Sequence, residues 1–167
     1  MAFADLPEGF SKSDYISQLT SALHANGFSN SVKVQEYGWW SQIKAKFMNS
    51  PTANITFTHP YGDMNRDAGG NTPKTSIPSA PSVIIYPGLD GMSIVGEYFD
   101  TWYYVNATLH EIGHAFFEFK HTPDDNGFGL GVSGSAPTVI DYRYVYSYGQ
   151  GFNAQELQII KNSIWGK

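Results

Sequence analysis

The chain has 167 residues, of which 41% are hydrophobic and 15% charged, and it contains no cysteine. This length and composition predict a single domain over residues 1–167 and exclude a disordered or coiled-coil protein. The net charge of −5, with basic residues scattered along the chain, argues against a nucleic acid or an anionic membrane as partner. The lack of cysteine excludes disulfide bonds, thiolate catalysis and cysteine-bound zinc.

The first predicted elements are a helix, a strand and a second helix. The segment SKSDYISQLTSALHANGF predicts a helix that Ser11 or Ser13 caps and Gly27 ends. In SVKVQEY the alternation of Val32 and Val34 with polar residues predicts a strand. WWSQIKAKFMNS then predicts a short helix.

Two further strands are predicted in ANITFTHP and SVIIYPG, with a long loop between them that is rich in glycine, proline and asparagine. In this loop Asp63, Asn65 and Asp67 stand at alternate positions, as in a calcium-binding loop. Lys74 stands where the closing glutamate of an EF-hand should be, so that interpretation fails. A looser Ca²⁺ site in the loop stays open.

The longest predicted element is a helix from about Asp100, its expected cap, to about Phe119. Large apolar side chains spaced three and four residues apart form one stripe along it: Trp102, Val105, Leu109, Ile112, Phe116 and Phe119. The opposite face bears His110 and His114. A final helix is predicted in NAQELQIIKNSIW, with Asn153 as cap and with three side chains facing inward: Leu157, Ile160 and Ile164.

His110, Glu111 and His114 form an H-E-x-x-H motif in the long helix. Two histidines four residues apart lie on one helical face and can bind one ion together. Glu111 is rotated by about 100° from His110, so it can lie beside the ion without binding it and accept a proton from water. The motif predicts a zinc site with a general base for peptide hydrolysis. The competing interpretation is a pair of surface histidines beside an ordinary acid.

A catalytic zinc needs a third protein ligand and an open position for water. His121 is the first candidate, but a continuous helix would place it about 16 Å from His110. The helix must therefore end before His121, and the chain must double back. No glycine occurs between His114 and Gly127 to support this reversal.

In these residues the sequence resembles the metzincin zinc metallopeptidases, specifically the serralysin and matrixin branch. The family pattern is H-E-x-x-H-x-x-G-x-x-H, followed by a turn that contains methionine. The order of ANITFT, IIYPG, TWYYVNATLHEIGHA, TVIDY and a closing helix is also similar, over roughly residues 50 to 165.

Residue by residue, His110 and His114 match the first two zinc ligands and Glu111 matches the general base. His121 takes the place of the third ligand one residue later than in the family. Phe117 stands where the family has glycine, so the device that ends the helix is altered.

The segment TVIDY is similar to the methionine turn, with Ile140 at the methionine as an apolar floor under the imidazoles. Tyr142 matches a tyrosine that serralysins place near the zinc, which implies that it polarises the scissile carbonyl or stabilises the oxyanion. Asp141 either orients a ligand histidine or is an ordinary turn residue. The strand in SVIIYPG matches the one that pairs with the substrate backbone in the family.

The resemblance implies an α+β, metzincin-like zincin fold, with a twisted mixed β-sheet packed on the active-site helix and a C-terminal helix. It leaves the third ligand open, because carboxylates also bind zinc well. Besides His121, three acids are candidates for this ligand: Asp124, Asp125 and Glu156.

The sequence therefore predicts a zinc-dependent endopeptidase with one catalytic Zn²⁺, a protein or peptide substrate and a monomeric state. A second possibility is a metal-stabilised binding or structural module whose zinc does no chemistry. A third is zinc-dependent hydrolysis of a non-peptide amide. The resemblance favours secretion, although MAFADLPEGFSKSDY shows no signal peptide.

Overall fold

Three helices and four short strands make up the regular structure of the residues that the computed structural model describes, which are 1–3, 10–36, 54–57, 70–71, 82–85, 101–121, 138–141 and 151–167. The elements in chain order are β1 (Ala2–Phe3), α1 (Lys12–Ala25), β2 (Asn54–Phe57), β3 (Gly70–Asn71), β4 (Ser82–Ile85), α2 (Thr101–Phe117) and α3 (Ala154–Asn162).

Helix α1 begins and ends where the sequence predicts. The side chain of Ser11 accepts a hydrogen bond from the backbone N–H of Asp14, which confirms Ser11 as the cap. Gly27 follows the helix with a φ of 84°, a left-handed conformation that glycine adopts at little cost. Helix α1 buries Tyr15 and Leu19 against α2, and the Tyr15 hydroxyl donates to Thr108 on that helix.

Helix α2 occupies the centre of the molecule. Every residue from Tyr103 to Gly113 is buried, whereas the sequence predicts one apolar stripe with His110 and His114 on the opposite face. Helix α1 packs on one part of its surface, and strands β3 and β4 pack on another. The polar residues of this helix are therefore enclosed, and His110 and Glu111 are only 4% and 8% exposed. The interpretation of His110 as a surface histidine is wrong.

The four strands form a small sheet in the order β1-β2-β4-β3. Strands β1, β2 and β4 are parallel, and β3 runs antiparallel to β4. Ile84 pairs with Thr56 on one side and with Asn71 on the other, and Ile85 is likewise paired on both sides. This part of β4 therefore cannot pair with an extended substrate, contrary to what the resemblance implies.

The fold class predicted from the sequence, a metzincin-like fold built on a twisted mixed sheet, is wrong. Helices of 14, 17 and 9 residues dominate the described residues, and no described strand exceeds four residues. Among the described elements, close packing on the strands comes from α2 and not from the C-terminal helix α3. A buried carboxylate needs hydrogen-bond donors, and α3 docks where Thr138 supplies one to its Glu156.

Helix α3 has the predicted cap and most of the predicted inward face, since Leu157 packs half-buried against the core. The Asn153 side chain accepts from the backbone N–H groups of Gln155 and Glu156, which confirms this cap. Ile160 is buried as predicted, but Ile164 is 60% exposed because the helix has already ended at Asn162.

Two more of the predicted elements have different outcomes. Residues 32–36 form no strand in the described part of the chain, although Val32 and Val34 are half-buried between exposed neighbours. The helix predicted in WWSQIKAKFMNS and the calcium loop around Asp63, Asn65 and Asp67 lie outside the described residues. None of the described helices has both the length and the apolar character that crossing a membrane requires.

Candidate metal centre

Three histidine side chains meet at the C-terminal end of α2. The Nε2 atoms of His110 and His114 are 2.9 Å apart, and the Nε2 atom of His121 lies 3.1 Å and 3.0 Å from them. Two nitrogens bound to one zinc at about 2.0–2.1 Å can be at most about 4 Å apart, so all three can bind the same ion. Within the described residues this is the one group with the composition and spacing of a metal site.

The imidazole of His110 is oriented by a distant backbone carbonyl. Its Nδ1 atom lies 2.9 Å from the carbonyl oxygen of Val139. A carbonyl can only accept, so Nδ1 must bear the hydrogen. In the neutral ring, Nε2 then has a lone pair, and this lone pair points toward His114 and His121.

The imidazole of His114 is oriented in the same way by a nearby carbonyl. Its Nδ1 atom donates to the carbonyl oxygen of Phe119, five residues along the chain. Metal-binding histidines usually donate their second N–H to such an acceptor, which fixes the tautomer and the direction of the ring. The Nε2 atom of His114 therefore also presents a lone pair to the cluster.

These two tautomers make the cluster electron-rich. Neither His110 Nε2 nor His114 Nε2 bears a hydrogen in the neutral state, so neither can donate to its neighbour across the 2.9 Å that separates them. Two lone pairs at this distance repel each other unless a cation or a proton lies between them. The geometry therefore suits a bound cation.

The electrostatic surroundings disfavour a proton as that cation. Burial, followed by the neighbouring histidine charges, lowers the pKa of His110 to about 3, although the hydrogen bond to Val139 opposes the shift. Burial and the charge of His114 lower the pKa of His121 to about 4, and burial lowers that of His114 as well. The three imidazoles are therefore neutral at physiological pH, which is the state that binds metal.

A left-handed residue produces the chain reversal that brings His121 to the cluster. Glu118 has a φ of 56°, and its N–H donates to the carbonyl of His114 at 3.2 Å. This bond forms the αL helix cap for which glycine is usual. The conformation costs a non-glycine residue about 1–2 kcal/mol. The resemblance places the helix-ending glycine at the position of Phe117, but here Glu118, one residue later, ends the helix. His121 is also one residue later than the third ligand of the family.

Gly113 allows a distant turn to approach α2 closely. A Cβ atom at this position would clash with Cδ1 of Ile140 and would lie 3.0 Å from the ring of Phe152. Ile140 is fully buried against the helix, in the segment that the resemblance makes the apolar floor. The sequence motifs assign Gly113 no role, although a glycine in a helix interior is a signal of close packing.

The acids and the tyrosine that the sequence suggests for the site have different positions. Glu156 lies outside the histidine cluster, because its carboxylate accepts hydrogen bonds from the Thr138 hydroxyl and the Asn153 N–H. Asp141 is buried, and its charge raises the pKa of His121 and so opposes the effect of burial. Three more of these residues lie outside the described part of the chain: Asp124, Asp125 and Tyr142.

Comparisons of the chain with protein-family models, with curated proteins and with solved structures found no match.

Proposed function

We propose that the protein is a zinc-dependent endopeptidase in which His110, His114 and His121 bind one Zn²⁺ and Glu111 is the general base. The observation that supports this most directly is the convergence of three Nε2 atoms within 3.1 Å of one another, two of them with fixed tautomers. Three neutral imidazoles leave a fourth position for water, which is the ligand arrangement of a catalytic zinc site.

Zinc in such a site supplies a lowered pKa for water and a Lewis acid for the scissile carbonyl. Glu111 follows His110 directly on α2 and is buried in the same region. In the proposed reaction Glu111 accepts a proton from the attacking water and later delivers it to the amine that leaves. Tyr142 is proposed to stabilise the negative charge on the carbonyl oxygen.

A metal-stabilised structural or binding module is the second candidate. The burial of the α2 segment that contains His110 favours it, because a structural zinc site is enclosed by protein. Glu111 has no part in this second function, since a structural ion needs no general base. Metal content together with peptide hydrolysis separates the two candidates.

The metal is tested by elemental analysis of the purified protein after dialysis against Zn²⁺. Wild type is expected to retain one equivalent, and His121→Ala to bind at least about 100-fold more weakly, because each ligand contributes several kcal/mol. His24→Ala is the matched control, since His24 lies on α1 and bonds to the Val32 carbonyl. Wild type without stoichiometric metal would refute the metal site.

The general base is tested by cleavage of an unstructured protein such as casein. Glu111→Gln is expected to keep the zinc and to lose at least about 100-fold in rate, because the amide cannot accept the proton. Glu36→Gln is the control, since Glu36 is exposed and pairs with Lys12 far along the chain from the motif. Undiminished cleavage by Glu111→Gln would remove Glu111 from the mechanism.

A further inference from the structure

A buried hydrogen-bond chain connects the histidine cluster to the N-terminus of α3. It starts at Glu156, where one carboxylate oxygen, Oε2, accepts from the Asn153 N–H at 2.8 Å and from the Thr138 hydroxyl. Thr138 and Glu156 are each only 1% exposed. Water therefore cannot easily replace either partner, and removal of one leaves its partner unsatisfied.

Thr138 in turn fixes the peptide that orients His110. Its carbonyl accepts from the Asp141 N–H at 3.0 Å, which closes a tight turn over residues 138–141. Within this turn the Val139 N–H donates to the Gly151 carbonyl at 2.8 Å, and the Val139 carbonyl accepts from His110 Nδ1. The Thr138 hydroxyl also accepts from the Ile140 N–H at 3.3 Å, and this N–H belongs to the same peptide group as the Val139 carbonyl. The direction of the Val139 carbonyl therefore depends on the Thr138 hydroxyl.

We propose that Thr138 and Glu156 are positioning residues of the metal centre, which set its metal affinity by holding the Val139 carbonyl against His110. This inference rests on the proposed metal site but not on peptidase activity. It also makes the docking of α3 and the binding of metal thermodynamically coupled, because the bound ion and the α3 cap favour the same position of the turn. Such coupling is reciprocal. Bound metal favours the docked α3 cap by the same factor by which the docked cap raises the affinity for metal.

The size of the effect follows from the number of steps between the residues and the ion. A metal-binding histidine usually donates its second N–H to an acceptor. Loss of that acceptor typically weakens metal binding about 10–100-fold. Thr138 acts one step further out, through the backbone of Val139, so we expect a loss of about tenfold, at the low end of that range.

The test is the affinity of the full-length protein for Zn²⁺, measured by competition with a chromophoric chelator. Thr138→Val keeps the shape of the side chain but removes the hydroxyl, and it is expected to bind about tenfold more weakly. Thr138→Ser restores the hydroxyl and should return the affinity to within about twofold of wild type. The absorption bands of bound Co²⁺ should change in Thr138→Val and recover in Thr138→Ser, which a general loss of stability would not produce.

Thr108→Val is the matched control. Thr108 is also fully buried, and its hydroxyl bonds to Tyr15 on α1 and to the Tyr104 carbonyl within α2, both of which lie outside the turn over residues 138–141. This variant should lose thermal stability as Thr138→Val does, yet keep the affinity of wild type for Zn²⁺.

A double-mutant cycle tests whether Thr138 and Glu156 act as one unit. Glu156→Met alone should weaken Zn²⁺ binding about as much as Thr138→Val, and the double variant should be no worse than either. If wild type binds Zn²⁺ and the affinity of Thr138→Val equals that of the control Thr108→Val, this inference is overturned and the proposed function stands. If wild type binds no Zn²⁺, the proposed function itself fails.

Discussion

His110 and His114 are each oriented by a backbone carbonyl, but the two carbonyls come from very different parts of the chain. Phe119, the partner of His114, is five residues away and belongs to the reversal that ends α2. Val139, the partner of His110, is 29 residues away and belongs to a turn that tertiary packing must bring to the helix. We call the pair of His114 and Phe119 the local half of the site, and it forms together with the end of α2. The pair of His110 and Val139 is the distant half, and it requires the turn and α3 to be docked.

This difference separates two kinds of vulnerability. A change that loosens the tertiary packing should release His110 while His114 keeps its partner. A change in the cap that ends α2 should instead affect the pair formed by His114 and Phe119, and with it the position of His121 in the cluster. Variants at Gly113 and Glu118 address the two halves one at a time.

Gly113→Ala should disturb the distant half of the site, and we expect it to have a larger effect than the substitutions at Glu118. The added methyl group would clash with Cδ1 of the fully buried Ile140, so this side chain or the turn that contains it must shift. Overpacking of this kind typically costs about 1–3 kcal/mol of unfolding free energy. Denaturant titration and Zn²⁺ affinity should both show the loss, and Ala115→Ser, which adds one atom to a half-buried position on the same helix, should show neither. Wild-type affinity in Gly113→Ala would show that the turn does not govern His110.

Lowering the pH should destabilise protein that a chelator has stripped of metal. The pKa of His110 is lowered from its ordinary value of 6.5 to about 3 by burial, so below pH 6.5 the unfolded chain binds a proton that the folded chain does not. Stability is therefore complete above pH 6.5 and falls as the pH drops toward 3, with His110 contributing up to about 1.4 kcal/mol per pH unit.

Chemical denaturation between pH 7 and 4 measures this slope, and NMR titration assigns it to individual rings. His110 should show no protonation near pH 6.5. A ring of His110 that titrates near pH 6.5 would contradict the enclosed site.

Glu118→Gly tests the local half of the site through the left-handed residue that ends α2, and we expect it to have the smallest effect. Glycine removes the strain of about 1–2 kcal/mol at a φ of 56° but adds freedom to the unfolded chain, so a net gain of up to about 1 kcal/mol is expected. Glu118→Val should have the opposite sign, because β-branched residues tolerate this conformation poorly. Thermal unfolding of the two variants beside Glu36→Gly tests the ordering, and a loss of stability in Glu118→Gly would show that the strain is smaller than the freedom that glycine adds to the unfolded chain.

The sequence predicts best those features that depend on local spacing. The caps at Ser11 and Asn153 and the common face of His110 and His114 follow from helix geometry within a few residues. The reversal before His121 follows from distance alone. Its left-handed residue does not, because a glutamate adopts positive φ only where the surrounding hydrogen bonds, here to the carbonyls of residues 113 and 114, impose it.

Features that depend on tertiary packing are the ones that the sequence misses. Val32 and Val34 alternate like a strand, yet alternation cannot show whether a partner strand exists. The fold class fails for the same reason, since patterns in single segments do not say that α3 docks on a turn rather than on the strands. The support of His110 by Thr138 and Val139 likewise joins segments that no spacing rule connects.

The enclosure of α2 from Tyr103 to Gly113 has a consequence for how the site can work. A helix surrounded by close-packed side chains cannot turn about its axis or slide without opening cavities, each of which is costly. His110 and Glu111 therefore keep a fixed spatial frame whatever binds beside them. The incoming molecule must adapt its pose to this frame.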